Sequence, residues 1–116
     1  MRIQLNIETN NPHLGFDIAS ANNMLTVGTV VDVPGGAKIV FQGSEFYKSF
    51  DIPHVLQFIV DAAINVEVNL LSAWLYDKVK GKSVKRIIIN RQIITEISEQ
   101  GIRQVLEEEI RSSSSE

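Results

Sequence analysis

The sequence contains no cysteine, and this absence excludes several kinds of protein at once. Without thiols there is no disulfide scaffold, no thiolate zinc site and no cysteine nucleophile. A reducing compartment is compatible with such a chain, and the opening residues MRIQLNIETN lack the apolar run of a signal peptide. We therefore expect a cytoplasmic protein.

Known catalytic patterns are missing as well, since HExxH, GxSxG and GxxxxGK(S/T) do not occur. His54 could meet Asp51 and Asp61 near a predicted helix start, where such a trio could hold a metal or move a proton. A histidine at a helix start is more often a polar surface residue. We therefore predict no catalytic residue, no metal site and no cofactor, and a protein that is not an enzyme.

Charge of one sign is not in large excess. The net charge of -3 gives no general attraction to nucleic acid or to an anionic membrane. With 116 residues, 44% of them hydrophobic and 22% charged, the composition is that of an ordinary globular protein. We predict a single domain over residues 1–111 and a flexible polar tail over residues 112–116.

Alternating side chains and turn residues predict a mainly antiparallel sheet. In RIQLNIE every second residue is apolar, which is the pattern of a half-buried strand. Runs of β-branched residues flank Pro34-Gly35-Gly36 and also Asn90-Arg91, so each pair of runs predicts a β-hairpin. Residues 44–50, SEFYKSF, fit either a further strand or a loop. We predict a sheet of four or five strands.

Two further segments lack this alternation. Residues 10–23 are rich in asparagine and predict a loop that turns three apolar side chains inward, namely Leu14, Phe16 and Ile18. Near the end of the chain Ser98 predicts a helix cap, with Ile97 and Ile102 spaced to pack around it. The apolar spacing after Ser98 predicts a short C-terminal helix.

The largest predicted element is one long helix, which starts at Asp51 and Pro53 and stops at Gly81. On a helical wheel its polar residues form one narrow stripe: His54, Gln57, Asp61, Asn65, Asn69, Ser72 and Tyr76. These polar groups argue against a membrane span. The predicted fold is thus α+β, with the sheet packed on one long central helix and on the short C-terminal helix.

More than half of the long helix surface is apolar, which is more than the predicted sheet can cover. We therefore expect a homo-oligomer, most simply a dimer, with contact residues on this helix: Glu67, Leu70, Leu71, Trp74 and Leu75. The alternative is that segments 10–23 and 46–50 fold over the surplus apolar surface. Glu67 lies away from the polar stripe, where it requires a boundary position or a cation.

A second candidate surface is basic. Five of the eleven basic residues fall within nine positions: Lys78, Lys80, Lys82, Lys85 and Arg86. They could bind an anionic partner, such as nucleic acid, a small ligand or an acidic protein surface. The run has no interleaved aromatics and the whole chain is acidic, so a solvated turn is the simpler interpretation and nucleic-acid binding is not expected.

The order of the predicted elements resembles the small effector-associated constant components of bacterial conflict systems. The likeness rests on the strand MRIQL, the helix ending in SAWLYDKVKGK, the hairpin VKRIIINRQIIT and the last helix SEQGIRQVLEEEI. Those components usually have a dense arginine run after the helix, where this chain has a sparser lysine pattern. The resemblance implies a non-catalytic adaptor in prokaryotic defence, so we predict a protein-protein interaction module.

Overall fold

The computed structural model describes residues 1–11, 13–20, 24–45 and 53–114. Within them the strands are β1 (Arg2–Thr9), β2 (Val30–Val33), β3 (Ala37–Glu45), β4 (His54–Ala62), β5 (Val84–Ile89) and β6 (Gln92–Ile94). The helices are α1 (Leu14–Ala19), α2 (Val68–Val79) and α3 (Glu99–Ser114). All neighbouring strands pair antiparallel in the order β2-β3-β4-β1-β5-β6. The predicted α+β class and antiparallel sheet are confirmed.

One face of the sheet packs against the helices. Strand alternation sends every second side chain of β1 and β4 to this face, including Ile3, Leu5 and Phe58, which are almost fully buried. Ile102 and Leu106 of α3 meet the same core. Each fully buried aliphatic or Phe side chain contributes about 1.5 to 3 kcal/mol. The core is therefore a single layer between the sheet and the helices.

The predicted long central helix is wrong. Residues 54–62 form strand β4, and the helix that follows covers only Val68–Val79. Because β4 lies between β3 and β1, its backbone groups are paired on both edges. The spacing that placed Gln57 and Asp61 in one helical stripe also puts them on the same face of a strand. With β4 counted, the sheet has six strands within the described residues rather than the predicted four or five.

The hairpin predicted at Pro34-Gly35-Gly36 is confirmed as β2–β3. Gly35 and Gly36 have φ of 98° and 82°, a conformation that favours glycine. The main-chain N–H of Glu67 donates to the Gly35 carbonyl at 2.8 Å, and that of Ala63 donates to the Gly36 carbonyl at 3.0 Å. The turn therefore also holds the β4–α2 connection and the residue that precedes α2.

The hairpin predicted at Asn90-Arg91 is also confirmed, as β5–β6. Asn90 exchanges hydrogen bonds with the main chain of Gln4, at 2.8 Å through its N–H and 2.9 Å through its Oδ1. Its Nδ2 donates to Glu109 of α3 at 2.8 Å, and Gln92 Nε2 donates to the same carboxylate at 3.0 Å. Both hydrogen bonds lower the pKa of Glu109, and the one from Asn90 has the larger effect. The hairpin is thereby tied to both β1 and α3.

The loop predicted over residues 10–23 contains helix α1. Leu14 and Ile18 are buried as expected, but Phe16 is exposed because it lies on the outer face of this short helix. Ser44 and Glu45 belong to β3, and residues 46–50 lie outside the described part of the chain. The choice between strand and loop is thus settled only for the first two residues of that segment.

The C-terminal helix α3 begins as predicted. The main-chain N–H of Gly101 donates to Ser98 Oγ at 3.0 Å, which is the expected N-terminal cap. The helix continues to Ser114, three residues into the segment expected to be a flexible tail, and residues 115–116 are outside the described part. None of the described helices is both long enough and apolar enough to span a membrane.

Candidate interaction surface

The structure separates the five residues that were predicted to form a helix interface. Leu71 and Leu75 lie in the core, and Trp74 is partly buried against it. Glu67 is exposed at the N-terminal boundary of α2, and Leu70 is 48% exposed. Leu71 and Leu75 are already used by the sheet, so these five side chains do not make one outward surface.

The five predicted basic residues do not form one patch either. Three of them make ion pairs: Lys80 with Asp77 at 3.1 Å, Lys82 with Asp17 at 3.6 Å, and Arg86 with Glu8. Lys78 belongs to α2, whereas a register shift between β1 and β5 leaves Lys85 without a cross-strand partner in the ladder. The pairs of Lys80 and Lys82 are exposed on both sides, and such pairs contribute at most about 1 kcal/mol each. The basic charges are therefore dispersed and partly neutralised.

His54 and Asp61 lie at opposite ends of β4, because His54 pairs with Thr9 and Asp61 pairs with Arg2. At about 3.3 Å per residue the two are about 23 Å apart. Asp51 lies outside the described residues. The trio considered for metal binding or proton transfer is therefore not assembled around His54. Within the described ranges, no group of three His, Asp or Glu side chains could hold a metal ion.

The sheet face opposite α2 and α3, called the open face below, carries apolar side chains on five of its six strands. They are Val30 of β2, Val40 of β3, Val55 and Ile59 of β4, Ile88 of β5 and Ile93 of β6. On the edge strands, Val30 and Ile93 are 53% and 57% exposed. An antiparallel sheet with one solvated face usually turns polar side chains to that side. The open face is thus more apolar than solvation alone favours.

The strand register gathers most of these side chains into two clusters. Val30, Val40 and Ile59 are direct cross-strand neighbours on β2, β3 and β4. Ile88 lies directly opposite Ile93 on β5 and β6. The two clusters therefore occupy the two ends of the open face, and β1 runs between them.

Amide side chains occupy the centre of the open face, on β1 and β4. Asn6 lies directly opposite Gln57 on one side and Ile88 on the other. Its Oδ1 is buried and has no hydrogen-bond partner among the described residues. A buried acceptor without a donor costs about 1 to 3 kcal/mol. Position 6 is therefore not optimised for the stability of the isolated chain.

A row of alternating charges, called the charge ladder below, borders the apolar cluster of β2, β3 and β4. Asp32, Lys38, Asp61 and Arg2 lie directly opposite one another on β2, β3, β4 and β1. All four are exposed, and Lys38 Nζ lies 4.0 Å from Asp32 Oδ1. Because the sign alternates from strand to strand, each charge has an opposite charge beside it.

Sequence reasoning missed the open face because it assigned residues 54–62 to a helix. The available signal was the density of β-branched residues, among them Val55, Ile59 and Val60, which favours a strand. The period of two is weak in this segment, because Val55 and Ile59 lie on the same face as Gln57 and Asp61. Assigning β4 from the β-branched residues would have placed Val55 and Ile59 on the face opposite the helices.

The space between the sheet and the helices is apolar and very small. The void beside Trp74 and Leu106 has a volume of about 10 Å³, roughly the room of one water molecule. It is therefore packing space and does not fit a small-molecule ligand. Comparisons with known proteins find no matching family model, no matching curated protein and no matching solved structure.

Proposed function

We propose that the protein is a non-catalytic protein-protein interaction module that acts as an adaptor, self-associates and uses the open face as its contact surface. The observation that carries this proposal is the pair of apolar clusters on the open face, in which Val30 and Ile93 are exposed and Val40, Ile59 and Ile88 are partly buried. Exposed apolar patches rimmed by polar groups are typical of interaction sites. Burial of apolar surface in a contact contributes about 25 cal/mol of binding free energy per Å², before the costs of association are subtracted.

The resemblance to effector-associated components supports the adaptor role. β1, α2, the β5–β6 hairpin and α3 follow one another in the order on which the resemblance rests. The helix in that order is α2, of 12 residues, rather than the long helix expected. We extend the proposal to a role in prokaryotic defence and to a cytoplasmic location, which a chain without cysteine suits.

The alternative function, binding of nucleic acid or of a small anionic ligand at residues 78–86, has less support. The basic side chains in this segment are dispersed, and three of the five pair with carboxylates. We expect neutralisation of Lys82, Lys85 and Arg86 together to leave the binding of single-stranded DNA unchanged in fluorescence anisotropy. A strongly salt-dependent affinity that disappears in this variant would favour the alternative.

Two matched variants test the proposed contact surface. Val30 on the open face and Leu70 on α2 are apolar side chains with similar exposure, 53% and 48%. We expect Val30→Lys to weaken self-association in sedimentation velocity and Leu70→Lys to leave it unchanged, with circular dichroism confirming that both fold. A heterologous partner is tested by comparing what the wild type and Val30→Lys retain from the native host. If only Leu70→Lys reduces binding, the contact surface lies on α2 and the proposal is wrong.

A further inference from the structure

We propose that the open face binds a second copy of this chain about a two-fold axis that crosses the strands. The axis runs along one row of residues that lie directly opposite one another on β2, β3, β4 and β1: Val30, Val40, Ile59 and Gln4. The inference rests on the proposed function, because it names the partner and the geometry of the same surface. Such an axis stacks two sheets with their strands aligned, which is a common arrangement of packed sheets.

Each residue of this row meets its own copy across the axis. Val30, Val40 and Ile59 therefore pack against the same three side chains of the second copy, and the apolar cluster of β2, β3 and β4 covers itself. At the end of the row Gln4 faces the second Gln4, where two amide groups can exchange hydrogen bonds. Apolar groups thus meet apolar groups, and the polar end of the row meets a polar end.

The charge ladder faces uncharged amide groups under this axis. The ladder and the row of Asn6 lie equally far from the axis on its two sides, so Arg2 comes over Asn6 of the second copy. In the same way Asp61 comes over Gln57. A guanidinium donates hydrogen bonds and a carboxylate accepts them, whereas an amide side chain does both. No ladder charge on β1, β3 or β4 meets a like charge, and such complementarity fixes the register of an interface.

The contact between Arg2 and Asn6 supplies the donor that Asn6 lacks within its own chain. Asn6 Oδ1 is buried without a hydrogen-bond partner among the described residues, but the side chain as a whole is only partly buried. Half a turn of the amide group therefore brings the oxygen to the surface, where Arg2 of the second copy donates to it. The interface thus uses a residue that is unfavourable in the isolated chain.

The two sheets overlap over about half of their width. β3, β4 and β1 stack along about 20 Å, β2 meets its copy near Val30, and β5 and β6 lie outside the overlap. With strands about 4.8 Å apart, about 700 Å² is buried in total. Interfaces of this size are weak and transient, so we expect a reversible dimer. Ile88 and Ile93 stay uncovered and available to another partner, as an adaptor requires.

Other axes match the open face less well. An axis along the row of Asn6 places Val40 over Glu45 and leaves the charge ladder beyond the ends of the opposite strands. An axis parallel to the strands, between β3 and β4, pairs the charges but places Val55 over Glu45. Under the proposed axis Val55 lies over Ala63, which follows directly after β4. Only the axis along the apolar row therefore keeps carboxylates away from apolar side chains.

Substitutions at Val30 test this geometry, because a residue on a two-fold axis meets its own copy. Val30→Lys and Val30→Glu each bring like charges together, so each alone is expected to dimerise about tenfold or more weakly than the wild type in sedimentation velocity. In an equimolar mixture the two substituted side chains carry opposite charges, and we expect association to recover. Ile93 is the matched control on the other edge strand, 57% exposed against 53% for Val30, and Ile93→Lys should dimerise like the wild type.

Cross-linking checks the same contact without a change of charge. The absence of cysteine makes Val30→Cys and Ile93→Cys unique thiols. We expect a short bismaleimide to link Val30→Cys to its own copy and to leave Ile93→Cys unlinked, because the two Ile93 side chains lie on opposite sides of the axis. Equal linkage of the two variants would mean that Val30 is not on the axis.

The outcomes separate this inference from the proposed function. A wild type that stays monomeric at about 0.5 mM, a mixture that associates as weakly as the single variants, or equal linkage in the two cysteine variants would each overturn the inference. The proposed function survives if Ile93→Lys weakens association or if Val30→Lys loses a heterologous partner, because the contact is then still on the open face. It fails with the inference if neither variant changes any interaction.

Discussion

Gly35→Ala and Gly36→Ala make a matched test of the contact between the β2–β3 turn and α2. Both glycines have a positive φ, so a side chain is strained at either position. Their surroundings differ. A Cβ at Gly35 would lie 2.7 Å from the Glu67 carbonyl oxygen and 3.2 Å from the Leu71 nitrogen, whereas the described chain has nothing within 4 Å of a Cβ at Gly36.

The expected magnitudes follow from these distances. Left-handed backbone costs a residue with a Cβ about 1 to 2 kcal/mol, which applies to both variants. At Gly35 the first turn of α2 must also move, because the crowding atoms belong to the backbone. That movement breaks the hydrogen bond from Glu67 to Gly35, worth about 1 kcal/mol. We expect the free energy of unfolding to fall by about 1 kcal/mol in Gly36→Ala and by about 3 kcal/mol in Gly35→Ala.

Urea unfolding followed by circular dichroism measures both losses on the same scale. The difference between the variants, about 2 kcal/mol, isolates the contact with α2 because backbone strain is common to both. Equal losses would refute the reasoning, since they would mean that the turn does not touch α2 as described.

Three further predictions use the same unfolding assay. Leu71→Glu should cost several kcal/mol, because the side chain is 3% exposed, whereas Leu70→Glu next to it should change stability by about 0.5 kcal/mol or less; similar losses would contradict the burial described. The lowered pKa of Glu109 means that its stabilisation is complete above the ordinary value of 4.5 and is lost as the pH falls through the folded-state pKa. Glu109→Gln should therefore be less stable than the wild type at neutral pH and equal to it in strong acid, and a gap independent of pH would argue against the hydrogen-bonded carboxylate. Asn6→Val should stabilise the monomer by about 1 kcal/mol, because it removes a buried acceptor without a donor; a large loss would show that this oxygen is satisfied in solution.

The strands with local signals could be predicted from the sequence. Strict alternation marks β1, and the Pro-Gly-Gly and Asn-Arg turns mark the two hairpins, because each feature is set by residues close together in the chain. Ser98 likewise marks the start of α3 through a side chain that bonds three residues ahead. In these segments local preference and tertiary structure agree.

Strand β4 could not be separated from α2 by such signals. Both faces of β4 carry apolar side chains, so its period of two is weak. The connection from β4 to α2 has no glycine or proline, and it places Ile64 in a turn where the side chain is 94% exposed. An apolar residue at that position makes the whole segment look like one continuous buried element. The open face depends on the pairing of β4 with β1 and β3, which no local pattern specifies.

The position of β1 in the sheet has a consequence for how the chain folds. Ile7 pairs with Leu56 on one side and with Ile87 on the other, so the first strand of the chain is also a central one. Pairings between residues far apart in sequence carry a large loop-closure entropy and slow the folding reaction. During synthesis on the ribosome, β2 can pair with β3 and then β3 with β4, since these strands follow one another in the chain. Both edges of β1 stay unpaired until β4 has been synthesised. Through that interval the apolar residues of β1 stay exposed, and transiently exposed unpaired strands of this kind promote aggregation.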